Sequence, residues 1–213
     1  MKIESFEFNL FGEKTYIVWD ETTRESVVID PGMSNDFEND KLTNFIIQNN
    51  LKLKYVLYTH LHIDHTLGHE FVKSTFNIPT LAHIEDVGLG ESREIQAQMF
   101  RLRTHKLDSL RIDTPISDNS TISIGDESIT VLHIPGHTQG SVAYYNSKSN
   151  FVITGDALFC GSIGRTDLPG GNYSQLISSI QNKLLTLPDN TCVYPGHGPM
   201  TTIIREKQSN PFL

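Results

Sequence analysis

The sequence predicts an α/β protein, a four-layer αββα sandwich of two similar halves, forming one domain over residues 1–213. Three observations carry this. Strand-like runs fall into two sets, one on each side of a polar stretch from Thr104 to Asn119. Each set leads into sequence with helical periodicity, and three runs of the second set end at a glycine followed by a His or an Asp. Sheets with one apolar face bury it best against each other, helices outside, which leaves those His and Asp residues along one rim.

Taken in order, Phe6–Leu10, Thr15–Trp19 and Glu25–Asp30 open the chain as short strands, on their β-branched and aromatic content. From Phe37 to Gln48, Phe37, Leu42, Phe45 and Ile46 recur on one side of a helix that Asn49-Asn50 ends. Tyr55–Tyr58 is then a strand, Gly68–Thr75 a helix, Thr80–His83 a short strand and Arg93–Arg103 a helix whose Met99-Phe100 pair reads as core. Beyond the polar loop, strands are expected at Thr121–Ile124, Ile129–Ile134, Val142–Tyr145 and Phe151–Thr154. A helix from Tyr173 to Leu187 follows, then a strand leading to His197.

Composition narrows the function. With 38% hydrophobic and 20% charged residues the chain is an ordinary globule with ample core. A formal charge of -8 and a pI near 5.5 argue against nucleic acid as a partner, because phosphate neutralisation needs clustered Lys and Arg. No apolar run is long enough to span a bilayer and the N-terminus has no secretory pattern, so a cytoplasmic protein without membrane contact is expected. Cys160 and Cys192 then read as reduced thiols.

Chemistry concentrates at Thr59-His60-Leu61-His62-Ile63-Asp64-His65, directly after Tyr55–Tyr58. His60 and His62 lie two apart, so on extended chain both rings project to the same side, whereas on a helix they diverge. Asp64 and His65 follow too closely to crowd onto the same ion, which points to two adjacent metals sharing one loop. His137, Asp156 and His197 each end an apolar run beside glycine. A lone His or Asp at a strand end is ordinarily hydrogen-bonded scaffolding, but together these five His and two Asp suit two divalent ions. His69, four residues after His65, fits the helix surface or a place behind a donor that it supports, while His83, His105 and His133 lack companions at ligand spacing.

The pattern resembles the metallo-β-lactamase superfamily, whose signature is HxHxDH followed by separated His, Asp and His. Within it the chain looks most like the glyoxalase II group, the hydroxyacylglutathione hydrolases, on four stretches: Pro135–Ser141, Gly155–Phe159, Gly164–Gly171 and Pro195–Pro199. The resemblance implies one ion on His60, His62 and His137, a second on Asp64, His65 and His197, and Asp156 bridging. Zinc is the metal implied, with iron or manganese as alternatives. It implies a thioester hydrolase acting through a metal-bound hydroxide that Asp64 orients, on an anionic small molecule. Arg165, in a glycine-flanked loop beyond Asp156, is the candidate anchor for a substrate carboxylate, or else a surface partner of Asp167.

One departure from longer glyoxalases is that 16 residues follow His197, so the helical region with which they bind glutathione is not expected. The rival within the superfamily is a persulfide dioxygenase with a single iron on His60, His137 and Asp156. A lactonase and a catalytically silent metal-binding protein are further alternatives. The acyl group, the thiol and the oligomeric state are left open by the resemblance.

Overall fold

The computed structural model describes residues 1–102 and 107–213. Among these residues one six-stranded sheet holds β1 (Lys2–Phe8), β2 (Glu13–Trp19), β3 (Glu25–Ile29), β4 (Lys52–Leu57), β5 (Thr80–His83) and β6 (Thr114–Ile116), side by side in that order. Between its strands lie α1 (Asp36–Gln48), α2 (Ile63–Thr66), α3 (His69–Phe76), α4 (Val87–Glu91) and α5 (Arg93–Met99). A second six-stranded sheet runs β7 (Thr121–Ile124), β8 (Glu127–His133), β9 (Val142–Asn146), β10 (Phe151–Gly155), β13 (Cys192–Pro195) and β14 (Thr201–Thr202). The ribbon of β11 (Leu158–Phe159) and β12 (Ser162–Ile163) follows β10, and α6 (Tyr173–Ser179) and α7 (Ile203–Ser209) cover the second sheet.

The alternation of side chains along each strand sorts the apolar residues into three layers. Ile17, Val28 and Val56 face Leu42 and Ile46 of α1 and Val72 of α3. Their chain neighbours Tyr16, Val18, Val27, Ile29 and Leu57 face the other way, onto Val131, Val142, Tyr144, Phe151 and Ile153 of the second sheet. Ala143, Val152 and Val193 point outward from that sheet onto Leu176, Ile180 and Ile203. The expected αββα sandwich is therefore the observed one. Because β10 is buried on both faces, it reads as a continuous apolar run rather than an alternating one, and each fully buried Val or Ile there contributes about 1.5–3 kcal/mol.

Strand direction makes the rim. β3, β4, β5 and β6 are mutually parallel. In the second sheet β10 is parallel to β13 and antiparallel to β9, which is antiparallel to β8, so β8, β10 and β13 end on one edge. The two edges are joined across the sandwich: Tyr144 Oη donates to Tyr58 O at 2.6 Å, Tyr16 Oη to Pro195 O at 2.6 Å, and Val142 N to Thr59 O at 2.8 Å.

Several elements differ from the sequence expectation. Within the stretch expected as a polar loop, Thr114-Pro115-Ile116 forms β6, held by pairing with β5 at the sheet edge, where the missing N–H of proline is tolerated. The helix expected to Arg103 ends at Met99; Arg103 and His105 lie outside the described residues. Met99 is 56% exposed rather than core, and Phe100 instead packs edge-on to Phe11, centroids 5.8 Å apart. The helix beginning at Tyr173 passes into a π-helical turn over Ile180–Leu184. α7, unforeseen in seven mostly polar residues, starts where Thr202 accepts a hydrogen bond from Arg205 N and buries Ile203 and Glu206. Cys160 and Cys192 are both free thiols. No helix among the described residues is long and apolar enough to cross a membrane.

His69 is buried at the start of α3, its Nδ1 2.9 Å from Tyr58 Oη. Burial, and then the positive charge of Arg93, pull its pKa down to about 3. An unfolded chain binds that proton near pH 6.5, so the stability this group contributes is full above that pH and is lost as pH falls through about 3. The urea midpoint of the wild type should therefore drop more steeply across that window than that of His69→Gln. Parallel profiles for the two proteins would remove His69 from the account.

Candidate metal centre

Each candidate donor sits where a strand runs out onto the rim. β4 delivers His60 and His62 on extended chain, and the single turn α2 then presents Asp64 and His65. β8, β10 and β13 deliver His137, Asp156 and His197. A side chain at Gly196 has no room, since its Cβ would lie 2.2 Å from Asp156 Oδ1 and 2.8 Å from His65 Cε1. Two groups form, His60 with His62 and His137, and Asp64 with His65 and His197, the ligand atoms in each within 4.8 Å of one another. Asp156 reaches both: Oδ1 lies 3.4 Å from His65 Nε2, and Oδ2 lies 3.7 Å from His137 Nε2 and 3.6 Å from His197 Nε2.

Four imidazoles are oriented by a partner on Nδ1, which leaves Nε2 facing inward. His65 Nδ1 donates to Asp30 Oδ2 at 3.0 Å, His137 Nδ1 to Arg165 O at 2.7 Å, and His197 Nδ1 to Phe11 O at 3.2 Å. His60 Nδ1 lies 3.1 Å from Thr59 Oγ1, whose own hydrogen goes to Asp30 Oδ2 at 2.5 Å. His62 differs, for it turns Nδ1 inward, 2.9 Å from His137 Nε2. Asp30 also lies near His60 and His65 as a third potential group. Its carboxylate is already committed to Thr59 N, Thr59 Oγ1 and His65 Nδ1, however, so it orients donors rather than adding one.

The electrostatics divide the two groups. Burial, reinforced by the neighbouring imidazoles, keeps His60 well below its ordinary pKa, and burial followed by His137 takes His62 down to about 3. Burial also opposes charge on His65 and His197, but there Asp64 and Asp156 outweigh it and hold both above the usual value. Burial would raise Asp156, yet His65 and then His137 and His197 hold it well below the carboxylate range. The residues fit metal ions by a direct test. His60 Nε2, His65 Nε2 and Asp156 Oδ1 are buried without a hydrogen-bond partner in the protein, and such orphaned lone pairs are costly unless a cation meets them. Mixed imidazole and carboxylate donors suit zinc, iron or manganese.

Other residues fall less close. Arg165 meets the site through its backbone carbonyl, while its guanidinium, 54% exposed, pairs with Asp167 through two bonds of 2.7 Å. His83 and His133 stack face to face, centroids 4.0 Å apart, and neither belongs to a donor group. Gly170 and Gly171 belong to a turn closed by Gly171 N donating to Leu168 O at 2.9 Å. Sequence reasoning missed Asp30 as an orienting group, although Asp30-Pro31-Gly32 ends an apolar run like the donors do. It also missed Glu13, wholly buried 3.9 Å from His65 Nδ1, whose carboxyl burial pushes well above the ordinary range. Nothing in the local sequence marks Glu13, which sits in a polar stretch that reads as exposed.

The family model of the metallo-beta-lactamase superfamily matches residues 9–197. The chain is 38% identical over 215 residues to hydroxyacylglutathione hydrolase GloC of Haemophilus influenzae, covering 100% of this chain and 98% of that protein. Its structure is similar to the BLEG-1 B3 metallo-beta-lactamase, with a TM-score of 0.86, 34% identity, and coverage of 100% of this chain and 99% of that one. It is also similar to TTHA1623 in a di-iron-bound form, with a TM-score of 0.87, 35% identity, and coverage of 99% and 100%. The chain belongs to the metallo-beta-lactamase superfamily. It is an enzyme of the metal-binding hydrolase kind.

Asp30→Asn keeps the shape of the side chain and tolerates the left-handed backbone at this position, φ 50°. It should weaken metal binding about 10- to 100-fold by depriving His65 of its carboxylate partner. Chelator competition reads this directly, and unchanged affinity would show that Thr59 and the main chain suffice.

Proposed function

We propose that the chain is a thioester hydrolase of glyoxalase II type, acting on an anionic small molecule at a centre of two divalent ions. The observation that carries this reading is the pair of donor triads with the Asp156 carboxylate reaching into both. Full-length similarity to a hydroxyacylglutathione hydrolase supports the substrate class. In this reading His60, His62 and His137 would hold one ion, Asp64, His65 and His197 would hold the other, and Asp156 would serve both.

Bound ions would supply Lewis acidity, lowering the pKa of water to near neutrality and polarising the thioester carbonyl. The protein's own groups do the positioning. Asp64, whose Oδ2 lies 3.2 Å from His197 Nε2, orients the attacking water by accepting its hydrogen bond. A thiolate leaving group has a low pKa, so departure needs no strong general acid. The ring of Phe159 lies edge-on to His197, centroids 6.2 Å apart, and the Phe11 carbonyl accepts from His197 Nδ1. Arg165 anchors the substrate carboxylate by exchanging Asp167 for it.

Metal analysis of the purified protein, with S-D-lactoylglutathione hydrolysis assayed beside persulfide-dependent oxygen uptake, tests the reading. Near two divalent ions per chain with thioester cleavage is expected. A single iron with oxygen uptake would overturn it in favour of a persulfide dioxygenase.

Asp156→Ala should lose most of its metal and nearly all hydrolysis, because no other donor serves both triads. Two full equivalents of metal in that variant would defeat the bridging role. A charged hydrogen bond is worth about 1.5–3 kcal/mol, so Arg165→Ala should raise KM roughly 10- to 150-fold for a carboxylate-bearing thioester with little change in kcat. The uncharged amide analogue should be hydrolysed equally by both proteins; equal losses on the two substrates would leave Arg165 as scaffold.

A further inference from the structure

Asp86 carries a buried carboxylate that none of the roles above uses. It lies beyond β5 at the end of a single 3₁₀ turn, 1% exposed, and its partners come from two separate donor loops. Leu61 N, between His60 and His62, donates to Oδ2 at 3.1 Å. Thr138 Oγ1, next to His137, donates to the same oxygen at 2.9 Å, and Gly140 N donates to Oδ1 at 2.7 Å. Ser141 Oγ braces Thr138, lying 2.8 Å from its hydroxyl and accepting from its N–H at 3.1 Å. A Cβ at Gly140 would stand 2.6 Å from Asp86 Cγ, so a side chain there would displace the carboxylate. The Thr138, Gly140 and Ser141 positions of the Pro135–Ser141 stretch thereby acquire a physical reason.

We propose that Asp86 is a positioning residue that ties the His60–His62 loop to the His137 loop and sets the spacing of the first triad. The inference rests on the two-triad reading above. One carboxylate oxygen joins the two loops, and the donors beside it, His62 Nδ1 and His137 Nε2, stand 2.9 Å apart. The second triad has other supports, since His65 is held by Asp30 and His197 by Phe11 O. Loss of Asp86 therefore acts on one ion rather than on both. Three donors converge on the carboxylate, which has acceptor capacity for all of them. The isosteric amide has a single acceptor oxygen, and its NH₂ must confront at least one of the three donors.

The test is zinc binding by chelator competition on folded wild type, Asp86→Asn and Thr138→Val, with His62→Ala as the reference for the second triad alone. Asp86→Asn should bind one ion about 10- to 100-fold more weakly while the other keeps its wild-type affinity. Thr138→Val, which removes one of the three bonds, should show a smaller loss at the same ion. Equal weakening of both ions, or no weakening of either, overturns the role. If Asp86→Asn does not fold, Thr138→Val decides by the same criterion. A wild type that takes only one ion defeats the two-triad reading. In that case, weaker binding of that ion in both variants keeps the tie, and unchanged binding removes it.

Discussion

Imidazoles and carboxylates packed this tightly cannot simply be buried together. Five His and two Asp converge on one rim, three of their buried polar atoms have no hydrogen-bond partner among the described residues, and burial opposes charge on His60, His62, His65, His197, Asp64 and Asp156. Without cations, the chain divides the problem. Burial pushes His60 and His62 toward the neutral form, while Asp64 and Asp156 favour the charged form of His65 and His197. Cations relieve both halves at once, and the fold around the rim is arranged for a charge that the protein itself only partly provides.

The scaffold meets this demand by fixing imidazoles from behind. Asp30, Thr59, Phe11 O and Arg165 O each occupy the outer nitrogen of a ring, so the inner nitrogen has little freedom to turn away. Phe11, Asp30 and Thr59 lie in loops of the first sheet and Arg165 follows the β11–β12 ribbon, while the cross-sandwich bonds made by Tyr16, Tyr144 and Val142 hold the two rims together. The apolar layer between the sheets thus acts on chemistry indirectly, by setting the distance across which the donors meet.

How much of this the sequence displays follows from what each feature depends on locally. The HxHxDH loop and the later strand-end donors are legible because ligand spacing and glycine punctuation are written in consecutive residues. The sandwich is legible because apolar runs such as Phe151–Thr154 carry it in their own composition. Glu13 and Asp86 are not legible, since each is a carboxyl in a polar neighbourhood whose burial is decided by residues far away in the chain. β6 and α7 are too short to show a period, and the exposure of Met99 reflects where α5 ends rather than any property of the residue.

The last donor is tied to the first strands. His197 bonds to Phe11 O across 186 positions, Tyr16 reaches Pro195 across 179, and Glu13 forms a bridge with His197. Closing so long a loop is entropically slow. In chain order the HxHxDH loop precedes the strand leading to His197 by more than a hundred residues, so the second triad's Asp64 and His65 are made long before their third member. The second triad therefore reports that closure: the amino-terminal hairpin and β13 must meet before it exists.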